Sequence, residues 1–455
     1  MPALLCAPFR IARPQAVEAA RLIVALVALA FVALPAKAAV DIQKVESESG
    51  VTAWLVEDYS VPLISVRFAF EGGSIQEPAG QEGLARLMSG LFDEGAGGLD
   101  RAAFQEQLDQ SGAEMSFDSG ADAFYGSMRM LAEEREAAFS LLALAVNAPR
   151  FDPEPLARIS SQLANRIAAR ENDPDTKASI AWASAIYGDH PYARRQEGTP
   201  ETLAAITADD LRAFHRRLFA RGNLVVGVVG AIDAETLKTE LDKVFGSLPA
   251  EPDLQPVEVV EPKVDQKILL EFDLPQASLR LAYPGMRRDD PRFFAAYLMN
   301  HILGGGTFSS RLFEEVREKR GLAYGVGSTI VNRDYSSALM IGTSTRADRA
   351  QETLSVIRDV VKTMAEEGPS EQELADAKNY VLGAYAINNL DTSSAIARTL
   401  VDLQIEELGM DYIERREELI GAVTLDEVRE AARLLLSGEP AVMIVGPADE
   451  AGKEG

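Results

Sequence analysis

The sequence predicts an α+β fold built of two tandem homologous halves, each a mainly antiparallel sheet packed with helices. Three observations lead there. First, residues 206–211 (ITADDL) and 423–428 (VTLDEV) share one pattern: a Thr and then acidic residues open a helix, and each helix leads into a continuous apolar strand, Leu224–Gly230 (LVVGVVG) and Ala441–Gly446 (AVMIVG). A hydroxyl at that place caps free N–H groups, and carboxylates in the first turn suit the helix dipole. The offset between Thr207 and Thr424 is 217 residues. Second, residues 66–72 (VRFAFEG) resemble 279–285 (LRLAYPG); each is an alternating strand that ends at Gly before a helix-length segment. Third, residues 249–266 (PAEPDLQPVEVVEPKVDQ) are rich in Pro and acidic residues, as an extended linker would be. The halves are placed at 40–248 and 267–447, with 448–455 as a tail. In the middle of the second half, Leu354, Ile357, Val360, Val361 and Met364 fall on one helix face and read as a core stripe.

A chain of 455 residues is too long for one compact core, which fits two domains of ordinary size. Its formal charge of −25 argues against binding nucleic acid or an anionic membrane surface, because both need a basic face. The beginning differs from the rest. Arg10, Arg13 and Arg21 precede an apolar run over 22–34, and Pro35 leads into Ala36, Lys37 and Ala38, the pattern of a secretory signal peptide over 1–38. The run is shorter than the roughly 20 apolar residues of a spanning helix, so the expected location is periplasmic, with no membrane anchor after cleavage. Cleavage removes four basic residues and one acidic one, taking the formal charge from −25 to −28, and it removes Cys6, the single cysteine. The mature chain would then hold no disulfide, thiolate ligand or cysteine nucleophile.

Few residues remain for catalysis. The three histidines, His190, His215 and His301, form no pair within a helical turn, whereas a zinc site usually takes two imidazoles at i, i+4 and a carboxylate. His190 lies in a turn and His215 in an amphipathic helix, both structural settings. No G-x-S-x-G turn is present. Residues 303–310 (LGGGTFSS) are glycine-rich but lack the Lys of a phosphate loop, so a flexible loop capping a helix is expected. Neither a catalytic residue nor a metal ligand is assigned to this chain, and no cofactor.

Two stretches nevertheless resemble a family. In 83–90 (GLARLMSG), Leu84, Leu87, Met88 and then Leu91 form a buried stripe, and the surrounding EPAGQEGLARLMSGLFDEGAGG is similar to the opening helix of the pitrilysin/insulinase (M16) zinc peptidases. There an inverted HxxEH motif follows Gly-Leu-Ala. In that register Arg86, Ser89 and Gly90 occupy the places of His, Glu and His, as degenerate zinc-motif positions and not ligands. The family's third ligand, a Glu, aligns at or beside Asn165 and Arg166. The second stretch, 304–328 (GGGTFSSRLFEEVREKRGLAYGVGS), resembles the family's C-terminal motif, in which an Arg and a Tyr reach the substrate; here these are Arg317 and Tyr324. Guanidinium and phenol are donors suited to holding a peptide carbonyl.

The resemblance implies the M16 metallopeptidase-like fold and a non-catalytic Arg/Tyr-type subunit of an exported heterodimeric zinc endopeptidase. Substrate binding falls to Arg317 and Tyr324, peptides are the substrate, and zinc is expected on the partner subunit, a homologue that carries HxxEH. The alternative is a catalytically dead binding or structural protein of the same fold with no peptidase partner.

Overall fold

Alternating and β-branched segments build both sheets of the computed structural model, which describes residues 40–447. The expected signal peptide (1–38) and the tail (448–455) lie outside the described residues. The first sheet takes β1 (Gln43–Glu46), β2 (Thr52–Glu57) and β3 (Leu63–Glu71) from the start of the chain. After a separate small hairpin of β4 (Gly95–Ala96) and β5 (Leu99–Asp100) come β6 (Glu114–Ser119), β7 (Ala123–Leu131) and β8 (Leu224–Gly230). The order is β1-β2-β8-β3-β7-β6, antiparallel except where β2 meets β8. The second sheet holds β9 (Lys267–Glu271), β10 (Gln276–Pro284), β11 (Ala323–Arg333), β12 (Ser336–Arg346) and β13 (Ala441–Gly446) in the order β11-β12-β10-β13-β9, again with one parallel pairing, β13 with β9. Without β1 the two sheets have the same connectivity. The duplication expected from the sequence is therefore present in the strand order.

The two helix starts used to find the repeat are both capping boxes. Thr207 and Thr424 each accept the N–H of the third helical residue, and Asp210 and Glu427 in turn accept the N–H of the capping Thr at 2.8 and 2.7 Å. The Thr207 hydroxyl and then its N–H hold the Asp210 carboxyl below its usual range, and the Thr424 N–H and then its hydroxyl do the same for Glu427. The helices that follow, Ala208–Leu218 and Leu425–Leu436, each deliver the chain to the buried strand β8 or β13.

The cores differ in composition. Under the first sheet lies a phenylalanine cluster that includes Phe68, Phe70, Phe92, Phe124, Phe219 and Phe245, all fully buried. Beneath the second sheet the filling is aliphatic, with Leu279, Leu281, Leu339, Ile357, Met364 and Val428. The core stripe expected over 354–364 is buried in the Ala350–Glu367 helix.

On their opposite faces the sheets exchange cover. The Pro174–Tyr187 helix of the first half puts Ala178, Trp182 and Ile186 against Ala282, Ala441, Met443 and Val445 of the second sheet. In return the Ser393–Ile405 helix sets Ala397, Leu400 and Val401 against Val229, Ala69 and Ala123 of the first. Gly227 makes that approach possible, since a Cβ there would stand 2.5 Å from the Ala397 carbonyl oxygen. Residues 252–264, within the linker, carry no helix or strand. They are pinned where Gln255 exchanges two hydrogen bonds with the Gln76 side chain and where Val260 donates to the Tyr335 carbonyl at 2.8 Å.

Candidate functional site

The helix Leu84–Ser89 is short because glycines bound it: Gly83, at φ 94°, precedes it and Gly90 ends it. Its free N-terminal N–H groups are met by Glu77, whose carboxyl accepts from Gly83 at 3.1 Å and from Ala85 at 2.7 Å. Burial pushes that carboxyl up to about 8. The helix buries Leu84, Leu87 and Met88 and turns Arg86 outward.

The three degenerate positions are spoken for by other contacts. Arg86 donates to Asp118 on the edge strand β6 at 2.5 Å. Ser89 is buried and donates to the Arg86 carbonyl of its own helix at 2.8 Å. A Cβ on Gly90 would press on Ile159 at 3.3 Å. Asn165 and Arg166 are exposed on the Pro153–Arg170 helix. A cation, an inward-bonded hydroxyl and a bare backbone do not fit a zinc ion, which requires deprotonated nitrogen, sulfur or carboxylate donors. Among the described residues no group of three or more His, Asp or Glu could hold a metal. His215 is buried, its Nε2 within 2.8 Å of the Val146 carbonyl, and burial lowers its pKa to about 4. His190 bonds the Glu258 carbonyl with Nε2 and accepts the Tyr192 N–H with Nδ1.

The second half arranges its motif otherwise. The glycine-rich segment expected as a flexible loop is mostly helical: His301–Gly305 continue the Phe293–Asn300 helix as a π-helix, closed by a 2.7 Å bond from the Gly306 N–H to the His301 carbonyl. The glycines serve close packing, because a Cβ on Gly304 would meet the backbone N of Ser328 on β11 at 2.6 Å. A second π-helix, Phe313–Glu318, carries Arg317 in its last turn. Single π-turns recur at functional sites because the wider turn re-aims side chains at some cost in hydrogen-bond geometry.

Tyr324 sits on β11 at a bulge. Ala323 pairs with Thr345 and Val326 with Thr343, so Tyr324 and Gly325 together oppose Ser344. Threonine hydroxyls hold the bulge: Thr343 donates to the Gly325 carbonyl at 2.7 Å, and Thr345 to the Leu322 carbonyl at 2.6 Å. The bulge throws the Tyr324 ring outward, where it is 86% exposed.

Arg317 and Tyr324 are thereby brought together, the guanidinium carbon lying 4.7 Å from the tyrosine ring centre. Phe313 stacks on the same guanidinium at 4.7 Å, and the 75% exposed Phe308 flanks it at 6.0 Å. Sequence reasoning did not single out these two phenylalanines; the spacing Phe313 to Arg317, one helical turn, was the available sign. Among the described residues the Arg317 guanidinium has no hydrogen-bond partner, and its ion pair with Glu318 is a 3.6 Å contact through Nε. Its side chain is about one-third exposed, with most of its N–H donors uncommitted. Both side chains border a groove of about 860 Å³ on the outer face of the second sheet, which Arg280, Glu318 and Arg346 also line.

Known proteins share this fold and much of the sequence. The family described as the peptidase M16 inactive domain matches residues 205–381. The solved structure of a peptidase M16 inactive domain from Pseudomonas fluorescens is 32% identical, covers 90% of this chain and 98% of its own, and superposes with a TM-score of 0.83. The non-peptidase homolog YmxG of Helicobacter pylori is 26% identical over 75% of this chain and 79% of its own length. The periplasmic protease PqqL of Escherichia coli, 18% identical, shares the fold over 90% of this chain and 45% of its own, with a TM-score of 0.77. With the α+β halves and these likenesses together, the chain belongs to the peptidase M16 family, among its inactive-domain members.

Proposed function

We propose that this chain is the non-catalytic, substrate-binding subunit of an exported, heterodimeric M16 zinc metalloendopeptidase that acts on peptides or unfolded segments. The observation that carries the reading is the Arg317–Tyr324 pair, stacked at 4.7 Å at the rim of an open groove with its donors uncommitted. An isolated exposed arginine gains little from such an arrangement, but donors held rigid by stacking can grip a peptide carbonyl without first losing side-chain freedom. Zinc would be held by a partner homologue that carries HxxEH, because Arg86, Ser89 and Gly90 offer it nothing. A periplasmic location accords with the leader-like residues 1–38 and with the named location of PqqL. Among the described residues no helix is long and apolar enough to cross a membrane.

The test is co-expression with an HxxEH-bearing homologue, isolation of the complex, and peptide hydrolysis. Arg317→Ala or Tyr324→Phe should lower kcat/KM by about 10²- to 10³-fold while the complex stays assembled on size exclusion. Unchanged hydrolysis would remove the role assigned to the pair, and zinc-dependent cleavage by the purified chain alone would contradict the non-catalytic assignment. The second reading, a dead peptidase fold that binds or scaffolds without a peptidase partner, draws support from the non-peptidase name of the H. pylori relative. Stable complexes that never contain an HxxEH chain would select it.

A further inference from the structure

The outer face of the second sheet lacks side chains where the fold gives no reason to lack them. Arg280 on β10, Gly342 on β12 and Gly327 on β11 form one cross-strand row. Gly342 has an ordinary strand φ, and a Cβ placed on it meets nothing within 4 Å; on Gly327 the nearest atom would be the Gly304 oxygen at 3.4 Å, an ordinary contact. In the adjacent row, Gly325 in the bulge likewise meets nothing. By contrast Gly227 and Gly304 elsewhere are glycines because a neighbour stands in the way. Glycine inside a strand weakens it, so glycines that neither backbone nor packing demands point to something that approaches from outside.

The surroundings indicate what approaches. The floor left by Gly342 is a backbone trough leading to Tyr324 and Arg317 at one end. Three guanidiniums, Arg280, Arg317 and Arg346, face it against one carboxylate, Glu318, in a protein whose formal charge is −25. Arg280 is held in place by the Ser179 hydroxyl at 3.1 Å and approaches the exposed Asp175 only at 3.9 Å, so part of its fork stays open. Arg346 pairs with Asp348, both of them at the surface, where water readily competes.

We propose that this glycine-floored trough binds an extended peptide segment that carries a carboxylate. Its main chain lies over Gly342 and Gly327, and its carboxylate meets Arg280 and Arg346. The inference rests on the reading above for the peptide nature of the ligand, and adds to it a location on a sheet face and a charge preference.

The experiment measures binding of short fluorescent peptides to the full chain by anisotropy. One peptide has an internal Glu and an amidated end, one has no charged side chain but a free C-terminal carboxylate, and one is neutral and amidated. Tight binding of the first places a side-chain carboxylate in the trough, and of the second a terminal one. Gly342→Val should fill the trough while suiting the strand, so its Tm should equal or exceed that of the parent as affinity falls by about tenfold or more. Arg280→Gln should abolish the preference for the charged peptides and spare the weak binding of the neutral one. Equal affinity for all three peptides, no binding of any, or unimpaired binding by Gly342→Val would overturn the proposal. Acidic-peptide binding without hydrolysis by any HxxEH complex would sink the peptidase reading alone; Arg317-dependent hydrolysis indifferent to Gly342→Val would sink the trough alone.

Discussion

The two halves repeat one strand order, yet the segment that follows the long strand β3 in the first and β10 in the second has opposite character. In the first, a regular helix turn is sealed: Arg86 is paired, Ser89 bonds its own helix, and Phe92, just beyond, stacks on Phe117 at 4.3 Å within the aromatic core. In the second, two π-helices and a bulge hold Phe308 and Tyr324 out at the surface beside the half-buried Arg317. One scaffold can thus pack this segment shut in one half and hold it at the surface in the other.

The sealed side should be the costly one to disturb. Phe92→Ala removes a fully buried ring, and a loss of about 3–5 kcal/mol is expected in chemical denaturation; a loss below about 1 kcal/mol would mean that the first half is no more tightly built than the second.

Of similar size is a pH effect at the start of the adjacent helix Leu84–Ser89. Glu77 has an unfolded value near 4.5 and a folded value near 8. The folded chain keeps a proton that the unfolded chain has released, so stability is full below about 4.5, falls by about 1.4 kcal/mol per pH unit above that, and levels off beyond about 8. Glu77→Gln should flatten this slope in melts taken between pH 5 and pH 8. An unchanged slope would assign it to other carboxyls.

These contrasts were only partly visible in the amino-acid order. The duplication was legible because capping boxes and buried strands are local: Thr207 with Asp210, and Thr424 with Glu427, can be seen in four residues. The bulge was not, since it depends on how β11 registers against Thr343 and Thr345, far along the chain. The π-turn over His301–Gly305 was hidden because a glycine run reads as a loop, and the stacking of Phe313 on Arg317 showed only as a one-turn spacing. In fact Gly304 is there to let a helix touch β11. Glu77, a lone acid in a loop, gave no sign of capping a helix from eight residues upstream of Ala85.

The open side is anchored by Arg311, whose fork meets Glu373 at 2.6 and 2.8 Å. That guanidinium, with the Ser370 capping bonds, holds the Glu373 carboxyl down at about 2. A depressed carboxyl stabilises above its unfolded value near 4.5, and the contribution is lost as pH falls through about 2. Arg311→Ala should therefore cost about 1–2 kcal/mol at neutral pH and less at pH 3, measured by denaturant midpoints.

Smallest are the exposed groups. Arg86→Ala should change stability by no more than about 1 kcal/mol, as exposed ion pairs do. Phe308→Ala should be as mild, its ring being mostly in water. A large loss from either would show that the surface of that half is structural after all.

The exchanged helices have a consequence for how such a chain can be divided. Each half lends the helix that roofs the other, Trp182 over Met443 and Leu400 over Val229. A half expressed alone would leave an apolar sheet face bare and hold a spare amphipathic helix to cover the same face of a second copy. Cutting within 249–266 should thus yield two fragments that are insoluble apart and recover their fold when mixed, and the single-half ancestor of the duplication is best pictured as a pair of identical chains, each roofing the other.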